Sequence, residues 1–167
     1  MVKRTSHKES LCGVARPMDV IGDGWSLLIV RDAFNGARRF GEFQKSLGMA
    51  RNILAARLRH LVDHGIMEMA LPTDGGAHQD YVLTPKGRGL FPLLVALRQW
   101  GDDFFFAPGE QHAVLVDKAN GLPIQRLTPQ TQDGCPVLAE NTVLRLPGQP
   151  AVGADRTDIQ AVQTSPS

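Results

Sequence analysis

The chain is 167 residues long, 43% hydrophobic and 21% charged, the balance of about one globular domain with room for a small appendage. Its longest unbroken apolar run is Leu93–Leu97, far short of the roughly 20 residues a membrane helix needs. Met1–Ser10 is polar and lacks the apolar core of a signal peptide, so no membrane role and a cytoplasmic location are expected. Two cysteines, Cys12 and Cys135, build neither a disulfide framework nor an all-cysteine zinc site. The formal net charge is +1, but residues 1–105 carry 14 basic and 11 acidic side chains, whereas residues 106–167 carry 4 and 6.

In chain order, Val14, Met18 and Ile21 fall at i, i+4, i+7 and predict a short helix stopped by Gly22. Asp23 can cap a second helix starting near Trp25. Its body, Trp25–Phe34, is apolar nearly all round and should be central and buried. Asn35-Gly36 ends it. A third helix, about Phe40–Leu47, sets Phe40, Phe43 and Leu47 on one face before Gly48. A fourth spans about Ala50–His64, with Ile53, Leu54, Leu58, Leu61 and Val62 as its apolar stripe. Asn52, Ala55, Ala56 and Arg59 point the opposite way, with Arg51 at the border.

After Gly65 the period changes. Ile66–Leu71 alternates like a strand with one wet face. Pro72–Gln79 is turn-like, with a hairpin signal at Asp74-Gly75, and Tyr81–Leu83 is the return strand. Thr84-Pro85 reads as an N-cap followed by proline at the first helical position. A long helix of about Pro85–Phe105 follows. Beyond Pro108-Gly109 the helical period is lost. Ala113–Val116 and Gly121–Leu127 suggest a hairpin across Lys118–Gly121, Thr142–Leu146 a further strand, and the chain from Pro147 a flexible tail.

Within Arg38–His60 stand six basic residues and one acid, Glu42, giving +5 in 23 residues. A solvated face and a nucleic-acid stripe both fit that charge. The order of elements separates them: two helices, a basic amphipathic helix, a glycine-rich hairpin and a long helix make a winged helix-turn-helix. The expected fold is mainly α with a β-hairpin wing, plus a small β-rich C-terminal extension. The expected boundaries are a DNA-binding and dimerisation domain at 1–107, the extension at 108–147 and the tail at 148–167. The third and fourth helices, joined at Gly48-Met49, form the helix-turn-helix pair, and the fourth fits the roughly 12 Å major groove. Arg51, Asn52 and Arg59 are residue types that read base edges, whereas Arg38, Arg39 and Lys45 suit phosphates. Ala55, on the outward face, and His78, in the wing turn, complete the candidate DNA-binding set.

These residues also carry a resemblance. Cys12-Gly-Val-Ala-Arg16, Ile21–Asp32, Gly36–Phe43, Asn52–Leu61 and Tyr81–Gly87 resemble the HxlR-type branch of the MarR-like winged-helix transcription regulators over about residues 10–105. The resemblance implies a homodimeric regulator that binds double-stranded DNA, with the start of the fourth helix as recognition helix and dimer contacts from the first and last helices. The dimer candidates are Val14, Met18, Leu93, Leu97, Trp100 and Phe104. The last helix is apolar on more sides than one small domain covers. Two positions depart from the family pattern: Ala50 stands where a capping serine is usual, and Gly13 where a proline usually follows the cysteine. The C-terminal segment is similar to a cysteine-bearing extension of some relatives, but only Cys135 remains, so no metal is expected.

Cys12 is a candidate redox sensor, since it precedes a helix and lies between Lys8 and Arg16, features that favour the thiolate; some family members use the matching cysteine to sense oxidants or electrophiles. A buried, inert cysteine is the competing reading. A small-molecule or oxidant effector is therefore open. His60 and His64 sit four apart, but only Asp63 stands beside them, and a helix end suits histidine without any metal. Trp25 and Trp100 read as core or dimer anchors. No catalytic motif is present: Gly36–Gly41 is followed by Glu42-Phe43 rather than by Lys-Ser/Thr. Neither an enzyme nor a cofactor is expected. A repressor that binds a pseudo-palindromic operator is the leading function. The alternative is a winged-helix protein-interaction module, which has no need of the basic stripe.

Overall fold

A computed structural model describes residues 6–72 and 79–149. The chain divides after Leu127 into two compact units. The first contains every helix of the winged fold: α1 (Ala15–Ile21), α2 (Ser26–Phe34), α3 (Phe40–Leu47), α4 (Arg51–Asp63), the strands β1 (Met67–Ala70) and β2 (Asp80–Leu83), then α5 (Pro85–Arg88) and α6 (Phe91–Phe104).

Helix α2 is the central element, as its nearly all-apolar sequence requires. Ile29 and Val30 are closed to solvent and pack with Phe43 of α3, Leu54, Leu58 and Leu61 of α4, and Ile66, Met67 and Leu83 of the wing. One core thus holds the helix-turn-helix and the wing together. The start of α2 is tied by Asp23, whose Oδ1 accepts the amides of Trp25 at 2.9 Å and Ser26 at 3.0 Å. Burial raises the Asp23 pKa, but hydrogen bonds from the Ser26 hydroxyl and these two amides, with Arg57 nearby, outweigh it and hold the carboxyl below its usual range.

The turn between α3 and α4 needs a left-handed residue, and Gly48 supplies it at φ +63°, its amide donating to the Gln44 carbonyl at 3.0 Å. The wing pairs antiparallel in the register Met67–Leu83, Glu68–Val82, Met69–Tyr81 and Ala70–Asp80. Thr84 then caps α5: its hydroxyl accepts the Gly87 amide at 3.1 Å and donates to the Gly65 carbonyl at 2.6 Å. Gly87 is buried there, and a Cβ on it would stand 2.1 Å from the Ile66 carbonyl oxygen.

The long helix expected over Pro85–Phe105 is two helices. Pro92 has no amide to donate and its ring collides with the carbonyl four residues earlier, so α5 ends at Arg88, capped by Gly89, and α6 begins afresh at Phe91 with proline in its first turn. Residues 108–127 run back along α6. Arg98 donates to the Ala113 carbonyl, Gln99 to the Gln125 carbonyl, and Asp103 pairs with Arg126. The hairpin expected across Lys118–Gly121 closes on a single bridge, Val116–Pro123, and the unit after Leu127 holds one more, Gln130–Pro136. Thr142–Leu146 forms no strand among the described residues; a short 3-10 turn at Ala139–Asn141 precedes it. Of the flexible tail expected at 148–167, residues 150–167 lie outside the described residues.

Candidate nucleic-acid interface

Arg38 and Arg39 lie in the turn before α3, where two features fix the backbone. Glu42, one turn into the helix, reaches back so that its Oε2 accepts the amides of Arg38 at 2.7 Å and Arg39 at 2.9 Å. These two amide hydrogen bonds hold the Glu42 carboxyl below its usual range. The Arg38 carbonyl in turn accepts the Tyr81 amide at 2.7 Å. Strand β2 is thereby hydrogen-bonded to the turn before α3.

Arg39 Nε stands 3.6 Å from Asp80 Oδ1, with side chains 44% and 3% exposed. A buried carboxylate at the base of β2 thus faces a half-exposed guanidinium. The Arg51 guanidinium lies over the Phe40 ring, 5.5 Å from its centroid. Between α3, the start of α4 and the wing runs an open groove lined by Arg39, Phe40, Lys45, Arg51, Met69 and Tyr81.

Of the sequence candidates, Arg39, Lys45 and Arg51 line this groove. Arg38, Arg39, Lys45, Arg51, Asn52 and Arg59 are exposed and Ala55 is half-buried. Asn52 and Arg59 are seven residues apart, which puts them on one face of α4 about 10 Å apart along its axis. His78 lies outside the described residues. Ala50 gives α4 no side-chain cap.

Two residues of α4 depart from the helical reading. Ile53, expected in the buried stripe, is 43% exposed. It belongs to the first turn, ahead of the point where Leu54 and Leu58 meet the core. Arg57, counted in the basic stripe, turns inward toward Asp23, with Nη1 at 3.4 Å from Oδ2. Gln44 and Tyr81, not picked out from sequence, also line the groove. Their signal was available in part, since Gln44 is one turn from the αL glycine and Tyr81 opens the return strand.

Residues 20–107 match the HxlR-like helix-turn-helix family. The chain belongs to that family. It is 39% identical over 107 residues to the HTH-type transcriptional regulator Rv3095 of Mycobacterium tuberculosis, a match covering 64% of this chain and 68% of the relative. The crystal structure of PA1607, a candidate transcription factor, is 63% identical, covers 84% of this chain and 99% of its own, and superposes with a TM-score of 0.81. The oxidised redox regulator HypR is 29% identical, with 55% of this chain and 96% of HypR covered and a TM-score of 0.50.

In this HxlR-like chain Cys12 is half-buried just ahead of α1. Amide hydrogens of Ala15 and Val14 hold its thiol below the usual range, against a smaller desolvation effect. At α1 and α6 apolar side chains are exposed: Val14, Met18, Leu93, Leu97, Trp100 and Phe104 all stand open, Trp100 at 52%. Trp25 is also partly open, at the start of the buried α2. His60 Nε2 donates to the Val20 carbonyl at 3.1 Å, and His64 Nδ1 to the His60 carbonyl at 2.8 Å. Among the described residues no group of three histidine, cysteine or acidic side chains is placed to hold a metal. No helix of the described residues is long and apolar enough to cross a membrane.

Proposed function

We propose that this HxlR-like regulator is a sequence-specific DNA-binding repressor that engages a pseudo-palindromic operator as a homodimer. The observation that carries the reading is the open groove between α3, the start of α4 and the wing, with Arg39, Lys45 and Arg51 on its wall, and with Arg38, Asn52 and Arg59 also exposed. Helix α4 enters the major groove. Asn52, Arg51 and Arg59 reach base edges, with Ala55 between them and exposed Ile53 suited to a thymine methyl group. Arg38, Arg39 and Lys45 meet phosphates, and His78 is the further DNA contact of this reading.

The exposed apolar side chains of α1 and α6 form the dimer surface in this reading. A second copy would bury Trp100 and Phe104 and set two α4 helices about 34–36 Å apart. Selection from genomic fragments, then footprinting and a salt titration of affinity, tests the reading. A protected pseudo-palindrome and a steep negative salt slope are expected. Binding that is weak, salt-independent and without footprint would favour the protein-interaction module instead.

Control of binding by oxidants or electrophiles through Cys12 is a second part of the proposal. It is supported by the amide-stabilised thiol and by the likeness to the redox regulator HypR. Cys12→Ser should bind DNA like the unmodified chain in reducing buffer and lose the response to diamide. If the unmodified chain ignores diamide too, Cys12 is inert.

A further inference from the structure

Arg38 and Arg39 are neighbours in the chain but line different openings. The backbone at Arg39 is extended, with φ −98° and ψ 148°, and consecutive side chains of an extended chain point opposite ways. Arg39 lines the groove with Lys45 and Arg51. Arg38 instead lines a separate open notch of about 140 Å³ beside β2. Tyr81 lines both openings and divides them.

The notch combines small or apolar side chains with two cations. Ala33 of α2 and Ala37 leave the space, and Val82 and Leu83 of β2 line it too. The second cation is Arg88, the last residue of α5. Among the described residues no acidic side chain lines the notch. Both arginines are exposed, and each is anchored. The Arg38 amide donates to Glu42 Oε2 and its carbonyl accepts the Tyr81 amide, both at 2.7 Å. Arg88 donates from Nη1 to the Leu83 carbonyl. A guanidinium has five N–H donors in a fixed fork, so Arg88 keeps donors for a further acceptor. Size decides what can enter. Whole small molecules occupy roughly 300–1,000 Å³, so this notch admits a single anionic group, free or carried on something larger. Two guanidinium forks without an acid between them suit the oxygens of a phosphate. A polyanion that follows Arg39, Lys45 and Arg51 along the groove has the notch beside it, across Tyr81.

We infer that the notch is a phosphate site held by Arg38 and Arg88, and that its occupant is a backbone phosphate of the bound duplex. The choice of occupant rests on the DNA-binding function proposed above, whereas the oxyanion chemistry of the notch does not. Arg88 is then a DNA contact outside both the recognition helix and the wing turn. Such a contact carries no sequence information; it fixes where the duplex backbone crosses β2 and so sets the register in which α4 meets the bases.

The test uses the full chain and a labelled duplex, with affinity read by fluorescence anisotropy over a range of potassium chloride. Arg88→Gln should weaken operator and random duplex alike, severalfold, and lower the salt slope by about 1. Arg38→Gln leaves the two backbone bonds of that residue in place and should do the same, so a folding fault in Arg88→Gln cannot decide the outcome. Neutral methylphosphonates, placed one at a time along the duplex, then locate the contact. At one position the phosphonate should weaken binding by the unmodified chain and make no difference to Arg88→Gln or Arg38→Gln. A merely structural role for either arginine would weaken binding at every position and leave the phosphonate map unchanged. An unchanged map, or an unchanged salt slope in both variants, overturns the duplex phosphate as occupant. Inorganic phosphate then decides the notch itself, followed through the Ala37 and Val82 amides by NMR without DNA. Saturable shifts that acetate does not reproduce, and that are lost in Arg38→Gln, keep it as a site for the free anion. No shift, or equal shifts with acetate, overturns it altogether. A chain that binds no duplex fails the DNA reading, and the phosphate titration still decides the notch.

Discussion

Arg39→Ala should destabilise the fold and not only weaken DNA binding. The guanidinium faces Asp80 at 3.6 Å. Two unit charges at that distance attract by roughly 1 kcal/mol in water and roughly 5 kcal/mol at an effective dielectric constant near 20. Asp80 belongs to the second regime, with its side chain 3% exposed, but Arg39 is 44% exposed and solvent screens it. Removing a partner also leaves a buried carboxylate without its counter-charge, the costly half of breaking such a pair. Discounted for the exposed partner, the loss is about 1–2 kcal/mol. With a urea slope of roughly 2 kcal/mol/M, the unfolding midpoint should fall by about 0.5–1 M at fixed protein concentration. Lys45→Ala, an exposed basic residue on the same face, should leave the midpoint in place. Asp80→Asn added to Arg39→Ala should recover part of the loss. Equal midpoints for Arg39→Ala and Lys45→Ala would refute this electrostatic account of the Arg39–Asp80 pair.

The remaining predictions concern other parts of the same unit. Gly87→Ala drives a methyl to 2.1 Å from the Ile66 carbonyl and should cost about 3 kcal/mol or more in chemical denaturation; an unchanged midpoint would show that α5 moves freely. Glu42 has a carboxyl pKa lowered in the fold by the Arg38 and Arg39 amides. Its stabilisation is therefore complete above the unfolded pKa and is lost as pH falls through the lower folded value. Melting temperatures of Glu42→Gln should accordingly vary less with pH in that acidic window than those of the unmodified chain. On DNA, Asn52→Ala or Arg59→Ala should narrow the gap between operator and random duplex by about 1–3 kcal/mol, whereas Lys45→Ala should weaken both alike and reduce the salt slope by about 1. Light scattering at micromolar concentration should give twice the chain mass, and Trp100→Asp should halve it; a monomeric unmodified chain would remove the half-site geometry.

Much of the fold could be read from local signals because those signals act locally. Gly48, Asp23 and Thr84-Pro85 mark helix ends through their own backbone and side-chain bonds, and each stands where the pattern placed it. The basic candidates of α3 and α4 are exposed for a similar reason, since the buried stripe of Leu54, Leu58 and Leu61 dictates the opposite face. What stayed hidden depends on partners distant in sequence. Arg57 counts as one more basic residue until Asp23, 34 positions earlier, is seen beside it. Arg39 resembles any phosphate-binding arginine until Asp80 is found beneath the wing. Pro92 marks the break at Gly89–Leu90, whereas the apolar pattern running on through both sides of it predicts one helix. The segment after Phe106 has strand-like composition without strand ladders, because its apolar residues, such as Val143 and Leu144, stay exposed and no neighbouring strand fixes a register.

The junction between wing and α6 also has a mechanical meaning. From β2 the chain passes through the Thr84 cap into α5, with Gly87 pressed on the Ile66 carbonyl, and only Gly89 and Leu90 separate that turn from α6. Such a connection transmits rotation instead of absorbing it. A residue inserted at Gly89–Leu90 would change both the angle and the distance at which α6 leaves the wing. In any assembly built on α6, those two residues act as the gear that sets how far apart, and at what relative angle, two reading heads are held.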